Sequence, residues 1–404
     1  MKNIGIYTLT SPLHDEKSVK VSTAEFLAGL NIDYDMEGVD LRNYGSHSLD
    51  LIYVCTGGTE GLFRGIFDQL RKQSDSPIYL LTSGKSNSLA ASMEILSYLR
   101  QLGVKGEIIH GDADYVNDKI STLTKVGEAK KKLNGCKLGI IGKPSDWLIS
   151  SNANREAVKA KFGIELIDIP MEELLSAMPK EECQVESELM EKASCRNIKE
   201  SLPGAMAIYE GLKKLIEEYG LQGLTIRCFD LLTTLKNTGC IALAKLNSEG
   251  IVAGCEGDVP AMLSMILSRA IAGVSGFQAN PSKINPKTGE MLVAHCTIPF
   301  NLVESYELDT HFESGIGVGI RGYMHALILR SLSLLSNVTD DRLGHPLNAL
   351  FFIVVTVPGI TNEVIALLLN ALAPIVVILD GEGSVTFAND VHPTNALSSI
   401  MPRF

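Results

Sequence analysis

Three short blocks of this chain carry side chains that can bind a divalent metal ion. They are CFD at residues 228–230, CEGD at 255–258 and AHCT at 294–297. Together they supply the carboxylates of Asp230, Glu256 and Asp258 and the imidazole of His295, which are ligands suited to hard or borderline metals. Gly257 follows Glu256 directly, and glycine allows a backbone or a substrate to approach closely. The blocks therefore indicate metal chemistry around Glu256.

Each block follows an apolar segment, at residues 224–226, 251–253 and 291–293. Short apolar runs of this kind predict buried strands. Side chains at the carboxyl ends of parallel strands face the crevice where open α/β sheets bind ligands. We therefore expect the three blocks to meet at one sheet edge.

Strands and helices are predicted to alternate along most of the chain, beginning with a strand at Ile4–Leu9 and restarting with one at residues 137–142. Such alternation predicts parallel, doubly wound sheets. We expect two Rossmann/flavodoxin-like α/β domains, an N-terminal one at residues 1–125 and a central one at 126–285 that carries the carboxylates. A long polar helix over residues 116–133 links them, and a long amphipathic helix is predicted over 204–219.

A glycine-rich turn, TGGTEG at residues 56–61, follows a predicted strand and precedes an apolar helix. Backbone N–H groups of Gly57 and Gly58 can cradle an anion or a sugar hydroxyl in such a turn. The alternative is a tight strand-to-helix turn without a ligand. The turn lacks GxGxxG and a Walker lysine, which argues against a nucleotide site.

The composition argues against several kinds of partner and against a structural zinc site. A formal charge of −11 and a pI of about 5.3 over 404 residues argue against nucleic acid or an anionic membrane as a main partner. None of the eight cysteines forms a CxxC pair, which argues against structural zinc and fits a reducing cytoplasm. The start of the chain resembles no export signal, and the apolar run at 364–379 is too short and too broken for a membrane span.

Taken in order, six motifs of the chain resemble the L-fucose/L-arabinose isomerase family, and more closely its fucose isomerase-like branch. The resemblance covers roughly residues 1–323. The matching segments are GKPSDWLISS at 142–151, RCFDLL at 227–232, GCEGD at 254–258, NP at 280–281, AHCTIP at 294–299 and THFESG at 310–315.

This resemblance implies a metal-dependent aldose–ketose isomerase that uses Mn²⁺ or another divalent cation and assembles as a homotrimer or homohexamer. It implies that Glu256 is both a metal ligand and the carboxylate that shuttles the proton. It also implies a β-rich, barrel-like C-terminal domain, at residues 286–404. Family members complete the metal site with a histidine near the chain end, for which this chain offers His345 and His392.

The roles of the other site residues stay open. Asn280 lies where the resemblance places a second carboxylate ligand, and an amide is a weaker one. His295 is a metal ligand, an acid–base partner or a buried structural histidine. Asp258 orients a ligand or starts the following helix. Asp230 bonds a sugar hydroxyl or holds Glu256 in place.

Two aromatic side chains complete the predicted site. Trp147, the only tryptophan, follows a strand and either stacks on the apolar face of a sugar or packs against protein. His311, together with Glu313, either contacts and orients the metal ligands without binding the metal itself or forms a surface pair.

Isomerisation moves a proton between C1 and C2 of an open-chain sugar. It requires a base, a group that stabilises charge on O1 and O2, and the exclusion of water. An intracellular sugar-binding protein of two α/β lobes, without catalysis, is the alternative. A cysteine hydrolase or lyase built on Cys296 and His295 is disfavoured, because neighbours along a strand face opposite ways.

Overall fold

The computed structural model describes residues 1–273, 275–285 and 290–323, and two further strands at 352–356 and 375–378. The chain divides into two compact units, unit 1 from Met1 to Lys131 and unit 2 from Lys132 onwards. The three predicted domains, with boundaries after residues 125 and 285, stay a prediction. Among the described residues, no helix combines the length and the apolarity that a bilayer crossing needs.

Unit 1 is a doubly wound α/β unit. Its five strands are all parallel in the order β2-β1-β3-β4-β5, which is the flavodoxin-like order. The strands are β1 (Ile4–Leu9), β2 (Tyr34–Gly38), β3 (Leu49–Val54), β4 (Ile78–Leu81) and β5 (Gly106–Ile109). The helices are α1 (Glu16–Ala28), α2 (Glu60–Gln73), α3 (Ser88–Gln101) and α4 (Ala113–Leu133).

Alternate residues of the central strands pack into two separate hydrophobic cores, one on each face of this sheet. Ile6 and Leu51 pack with side chains of α1 and α4. Tyr7 and Ile52 pack with side chains of α2 and α3. Because both faces are covered by helices, the strands are apolar on both sides, which is why the sequence predicted them well.

Unit 2 opens with a second parallel sheet, in the order β7-β6-β8-β9. Its strands are β6 (Lys137–Ile141), β7 (Glu165–Ile169), β8 (Gly223–Ile226) and β9 (Val252–Gly254). Its helices are α5 (Arg155–Phe162), α6 (Met171–Ala177), α7 (Ser187–Lys192), α8 (Arg196–Tyr219), α9 (Phe229–Thr234), α10 (Cys240–Ser248) and α11 (Val259–Ala272). The prediction of mixed α/β architecture with parallel sheets is confirmed.

The predicted start of the long helix at residue 204 was wrong, because α8 begins at Arg196 and runs through Pro203. Proline costs a helix a hydrogen bond. Here the extra turns bury Ile198 and Leu202 in the main core of unit 2, and this apolar burial opposes that cost.

The remaining strands of unit 2 are mostly antiparallel. They are β10 (Phe277–Asn285), β11 (Glu290–Ala294), β12 (Ser305–Asp309), β13 (Gly319–Tyr323), β14 (Phe352–Thr356) and β15 (Ile375–Ile378). One sheet has the order β11-β10-β14-β15, and β12 pairs with β13. The barrel-like closure stays a prediction, and His345 and His392 lie outside the described residues.

Candidate active site

Glu256 lies just beyond β9, in a backbone conformation that a side chain rarely adopts. Its φ is +64°, and its exposed fraction is 7%. Its carbonyl accepts a 2.9 Å hydrogen bond from Ser145 N, and the next amide, of Gly257, donates a 2.9 Å bond to Ile226 O. A left-handed glutamate is strained by about 1–2 kcal/mol, and strain held in this way is a mark of functional sites.

Gly257 allows the loop after β6 to pack directly on this turn. Its φ is +69°, and a Cβ at this position would lie 2.5 Å from the carbonyl oxygen of Lys143. No residue with a side chain fits such an approach without displacing backbone. The close backbone contact expected at this glycine is therefore present.

The same loop delivers Trp147 to the buried carboxylate. Its indole Nε1 donates a 2.8 Å hydrogen bond to Glu256 Oε2, while half of the side chain remains exposed. The indole meets the ring of Phe229 edge-on at 4.9 Å, and Phe229 meets the imidazole of His311 edge-on at 5.8 Å. These three rings form an aromatic row beside Glu256.

Arg227, at the end of β8, fixes the loop that carries Trp147. Its guanidinium bonds both carboxylate oxygens of Asp146, at 3.2 and 2.8 Å, and the carbonyl of Pro144 at 2.8 Å. Its Nε donates a 3.0 Å bond to Asp230. The side-chain partner of Asp230 is thus Arg227, so a hold of Asp230 on Glu256 would run through Arg227 and the loop that carries Trp147. Both interpretations of Asp230 stay predictions.

Two buried carboxyls near this turn have raised pKa values. Burial raises the pKa of Glu256, the Trp147 hydrogen bond opposes that rise, and the negative charge of Glu313 adds to it. Burial raises the pKa of Asp258 to about 7, against the hydrogen bond from Ala261. Strong desolvation with a nearby like charge is typical of sites where acid–base chemistry or cation binding takes place.

Asp258 starts α11, as one of its two interpretations predicted. Its Oδ1 accepts a 2.8 Å hydrogen bond from the amide of Ala261, the usual geometry of an N-cap. Its Oδ2 is buried and has no hydrogen-bond partner. An unpaired buried carboxylate oxygen is costly, and a cation would remove that cost.

His295 and Cys296 do not lie along a strand, contrary to the expectation used against a Cys296–His295 pair. The strand β11 ends at Ala294, and Cys296 and Thr297 form a turn. His295 Nδ1 shares a 2.8 Å hydrogen bond with Thr297 Oγ1. Burial and, to a smaller extent, the neighbouring His311 lower the pKa of His295 to about 4. The imidazole is therefore neutral at pH 7, which is the form that binds metals.

His311 is buried, with 6% of it exposed, so the surface-pair interpretation was wrong for this residue. Its Nδ1 accepts a 3.2 Å hydrogen bond from the amide of Ser314. Burial lowers the pKa of His311, and the carboxylate of Glu313 opposes this change. His311 thus packs as a neutral imidazole at the end of the aromatic row.

Asn280 lies on β10 opposite Ala294, the residue before His295. Two positions earlier lies buried Gln278, which stabilises the turn at Glu256. This role was not predicted from the sequence. Gln278 Oε1 accepts a 2.7 Å hydrogen bond from the amide of Cys255, the residue before Glu256. The sequence contained one signal for this contact, a polar amide side chain among apolar residues just before Asn280.

Four buried thiols also lie in this unit, in two close pairs. The sulfurs of Cys228 and Cys255 are 3.0 Å apart, and those of Cys240 and Cys296 are 3.2 Å apart. The partner thiol and burial raise the pKa of both Cys255 and Cys296. The ligand atoms of Cys240, Cys296 and His311 lie within 4.8 Å of one another, a grouping that cysteine spacing did not reveal.

The donor types predicted for the site suit a divalent cation. They are two carboxylates that burial disfavours as anions, one of which, Asp258, has an oxygen without a partner, and a neutral imidazole at His295. Within the described residues, however, Glu256, Asp258 and His295 do not form one close ligand set. The predicted metal ligands Glu256, His295 and Asn280 stay a prediction.

The glycine-rich turn lies in unit 1, and the other predicted site residues lie in unit 2. Gly58 has a φ of +73° and faces Ser11. The amide of Gly57 donates a 2.7 Å hydrogen bond to Ser86 O, so this N–H is already used within the protein. The structure thus favours a tight turn at Gly57, while a substrate role for Gly58 stays a prediction.

No protein-family model matches the chain. A protein named sulfoquinovose isomerase from Priestia aryabhattai is 24% identical over 219 residues, covering 52% of this chain and 49% of the relative. Proteins of the same name from Alkalicoccus urumqiensis and Clostridium sp. (strain MSTE9) are 24% identical with the same coverage. The chain spans about half the length of the curated relatives it matches. The expected resemblance to sugar isomerases is thus supported by distant similarity, and the fucose isomerase-like branch stays a prediction.

Proposed function

We propose that this protein is a metal-dependent aldose–ketose isomerase that moves a proton between C1 and C2 of an open-chain sugar. The observation that carries the proposal is the state of Glu256, a buried carboxylate in a strained turn with one oxygen held by Trp147. The name shared by its distant relatives supports the same class of reaction.

Glu256 is the proposed base. It takes the proton from one sugar carbon and returns it to the next, and burial places its pKa above that of an ordinary glutamate. A base whose pKa approaches the working pH both accepts and releases a proton readily. The hydrogen bond from Trp147 fixes the orientation of the carboxylate relative to the loop, so that the proton transfer needs no rearrangement of the base.

Trp147 and the rest of the aromatic row form the proposed sugar platform. The indole is half exposed while its N–H is already bonded to Glu256, so its apolar face remains available to the C–H face of a sugar. Stacking on this ring would place the sugar next to the base. His311, buried at the far end of the row, supports Phe229 rather than a surface charge pair.

Mn²⁺ is the proposed cofactor, with Glu256 and the predicted ligands His295 and Asn280 as the groups that would hold it. When bound, such an ion supplies Lewis-acid stabilisation of the negative charge that develops on the sugar oxygens. Asp258 Oδ2, buried without a partner, adds negative potential that favours a cation at this turn.

A substrate screen tests the proposal. Purified protein with Mn²⁺ is incubated with a panel of aldoses and modified hexoses that includes sulfoquinovose, and ketose formation is measured. We expect ketose from at least one sugar, loss of turnover after exhaustive chelation, and recovery with Mn²⁺. Full activity of the metal-free protein would exclude the Lewis-acid role.

A sugar-binding protein without catalysis is the second candidate. Asn280, where the resemblance implies a carboxylate ligand, favours it. This candidate predicts sugar binding that chelation leaves unchanged and no ketose from any member of the panel.

A homotrimer or homohexamer is part of the proposal. Light scattering should then give three or six times the chain mass of 43.7 kDa. A monomer with full activity would contradict the proposed assembly.

A further inference from the structure

A buried histidine in unit 1 has one ring nitrogen without a hydrogen-bond partner. The side chain of His47 is fully shielded from solvent. Its Nδ1 lies 2.8 Å from Asp50 Oδ1, while its buried Nε2 has no hydrogen-bond partner. A buried polar atom without a partner costs free energy and calls for a physical reason.

Two carboxylates face this nitrogen. Asp35 Oδ2 lies 3.6 Å and Glu37 Oε1 lies 3.5 Å from His47 Nε2. Both residues come from β2, two positions apart, so their side chains share one face of the strand. The three ligand atoms all lie within 4.8 Å of one another.

These separations are too long for the hydrogen bond that a charged histidine makes with a carboxylate. Hydrogen bonds to a carboxylate of this kind measure about 2.7–2.9 Å, and the contact of His47 Nδ1 with Asp50 Oδ1 has this length, 2.8 Å. Oxygen and nitrogen ligands lie about 2.0–2.2 Å from Zn²⁺ in tetrahedral sites, which separates two ligands by roughly 3.4 Å. The two longer contacts match the spacing of ligands around an ion.

The three carboxylates around His47, those of Asp35, Glu37 and Asp50, are held in place by hydrogen bonds from neighbouring groups. Asp35 Oδ2 accepts a 2.8 Å bond from the amide of Lys2, and the Glu37 carboxylate accepts from Asn43 Nδ2 at 3.0 Å. Asp50 Oδ2 accepts a 2.9 Å bond from the amide of Gly45. Each carboxylate oxygen has more lone pairs than these hydrogen bonds use. The remaining lone pairs of Asp35 and Glu37 can bind a cation.

The His47 ring itself lies over β1. A Cβ at Gly5 would lie 2.4 Å from His47 Nδ1, so the ring occupies space that only glycine leaves open. Asp50 on Nδ1 then favours the tautomer whose Nε2 carries a lone pair. A histidine held by a carboxylate on one nitrogen and by a metal on the other is a common arrangement in metal sites.

We propose that Asp35, Glu37 and His47 bind one divalent transition-metal ion, with Zn²⁺ the best match, and that Asp50 orients His47 for it. The site is separate from Glu256, which belongs to unit 2. The ion would stabilise β2, the edge strand of the unit 1 sheet, which buries none of its side chains fully. One nitrogen and two oxygens leave a fourth position for water.

The test counts Zn²⁺ ions bound by the full-length, metal-stripped chain in equilibrium dialysis. Glu37→Gln and His47→Asn each remove one ligand. Asp40→Asn is the matched control, because its carboxylate bonds Arg42 and takes no part in the cluster. All proteins carry Cys240→Ser, so that the thiol pair does not add a competing ion, and circular dichroism checks that each variant is folded.

We expect the parent and Asp40→Asn to bind one Zn²⁺ more than Glu37→Gln and His47→Asn do. Asp50→Asn should retain the ion with an affinity about 10- to 100-fold weaker. Zn²⁺ should raise the melting temperature of the parent and Asp40→Asn, and Co²⁺ at this site should give visible absorption without a thiolate band.

Equal Zn²⁺ counts, affinities and melting shifts for the parent and Glu37→Gln would overturn the proposal. The cluster would then be a structural histidine surrounded by three carboxylates, without a metal ion. Glu37 is partly exposed, with 13% of its side chain accessible, so this conservative variant gives a result even if His47→Asn does not fold.

Discussion

The indole of Trp147 donates a 2.8 Å hydrogen bond to the buried carboxylate of Glu256, across 109 positions of sequence. This contact joins a half-exposed loop residue to a group that burial keeps from ionising easily. It ties the orientation of the proposed base to the position of the loop, so that disturbance of either residue disturbs both.

Removal of the indole N–H should weaken catalysis more than binding. Trp147→Phe keeps an aromatic face but leaves Glu256 Oε2 without its donor. A hydrogen bond to a charged group contributes about 1.5–3 kcal/mol, so kcat should fall about ten- to a hundred-fold with little change in KM. Trp147→Ala loses the ring as well and should also raise KM. Parent-like kinetics for Trp147→Phe would show that the hydrogen bond has no part in the reaction.

Arg227→Lys should release the tryptophan loop. Lysine cannot bond both oxygens of Asp146 and the carbonyl of Pro144 in one plane. Because Trp147 is the only tryptophan, its fluorescence reports on the loop directly, and we expect a red shift and stronger acrylamide quenching. Arg155→Lys is the control, since its pair with Asp168 is about half exposed and away from this loop. An unchanged emission spectrum for Arg227→Lys would contradict the anchoring role.

Gly257→Ala should destabilise the protein through contact with the Lys143 carbonyl, 2.5 Å from the new Cβ. Gly220→Ala is a matched control, because Gly220 has a φ of +63° and nothing within 4 Å of a Cβ. Both variants bear the left-handed cost of alanine, about 1–2 kcal/mol. Urea unfolding should show a further loss of about 1–3 kcal/mol for Gly257→Ala alone. Equal losses would mean that the loop moves away freely.

The buried carboxyl of Asp258 should make stability depend on pH. Burial raises its pKa to about 7, so the folded protein binds more protons than the unfolded chain between about pH 4 and 7. Stability is then highest below the unfolded pKa and falls as the pH rises through this window.

Asp258→Asn removes this dependence while keeping a good helix cap. In the presence of chelator, it should gain about 2 kcal/mol over the parent between pH 5 and pH 8, measured by urea unfolding. A constant difference across this range would show that Asp258 ionises in the native protein as it does in water.

Apart from β2, the strands of both parallel sheets were predictable, because burial on both faces makes them continuous apolar runs. The helix α10 was not, since it is apolar on nearly every face and shows no amphipathic period. The edge strand β2 was not predicted, because its sequence YDMEG is short and contains Asp, Glu and Gly, which are depleted in strands.

The candidate site was predictable in its residues but not in its contacts. The sequence indicated Glu256 and the close approach at Gly257. Nothing local predicts that Glu256 itself has a positive φ, which the neighbouring loop imposes. The bonds of Trp147 to Glu256 and of Gln278 to Cys255 join distant segments, and only the packed fold brings them together.

The central claim is that Glu256 carries the proton, and solvent exchange tests it most directly. The parent protein and Glu256→Gln are incubated in D₂O with Mn²⁺ and a sugar that the screen has identified. The parent should form ketose with deuterium at C1 or C2, because the proton on Glu256 can exchange with solvent. Glu256→Gln keeps the shape but removes the base, so turnover should fall by at least about 10²–10⁴-fold, with no exchange and residual sugar binding. A Gln variant that turns over and incorporates deuterium like the parent would contradict the claim.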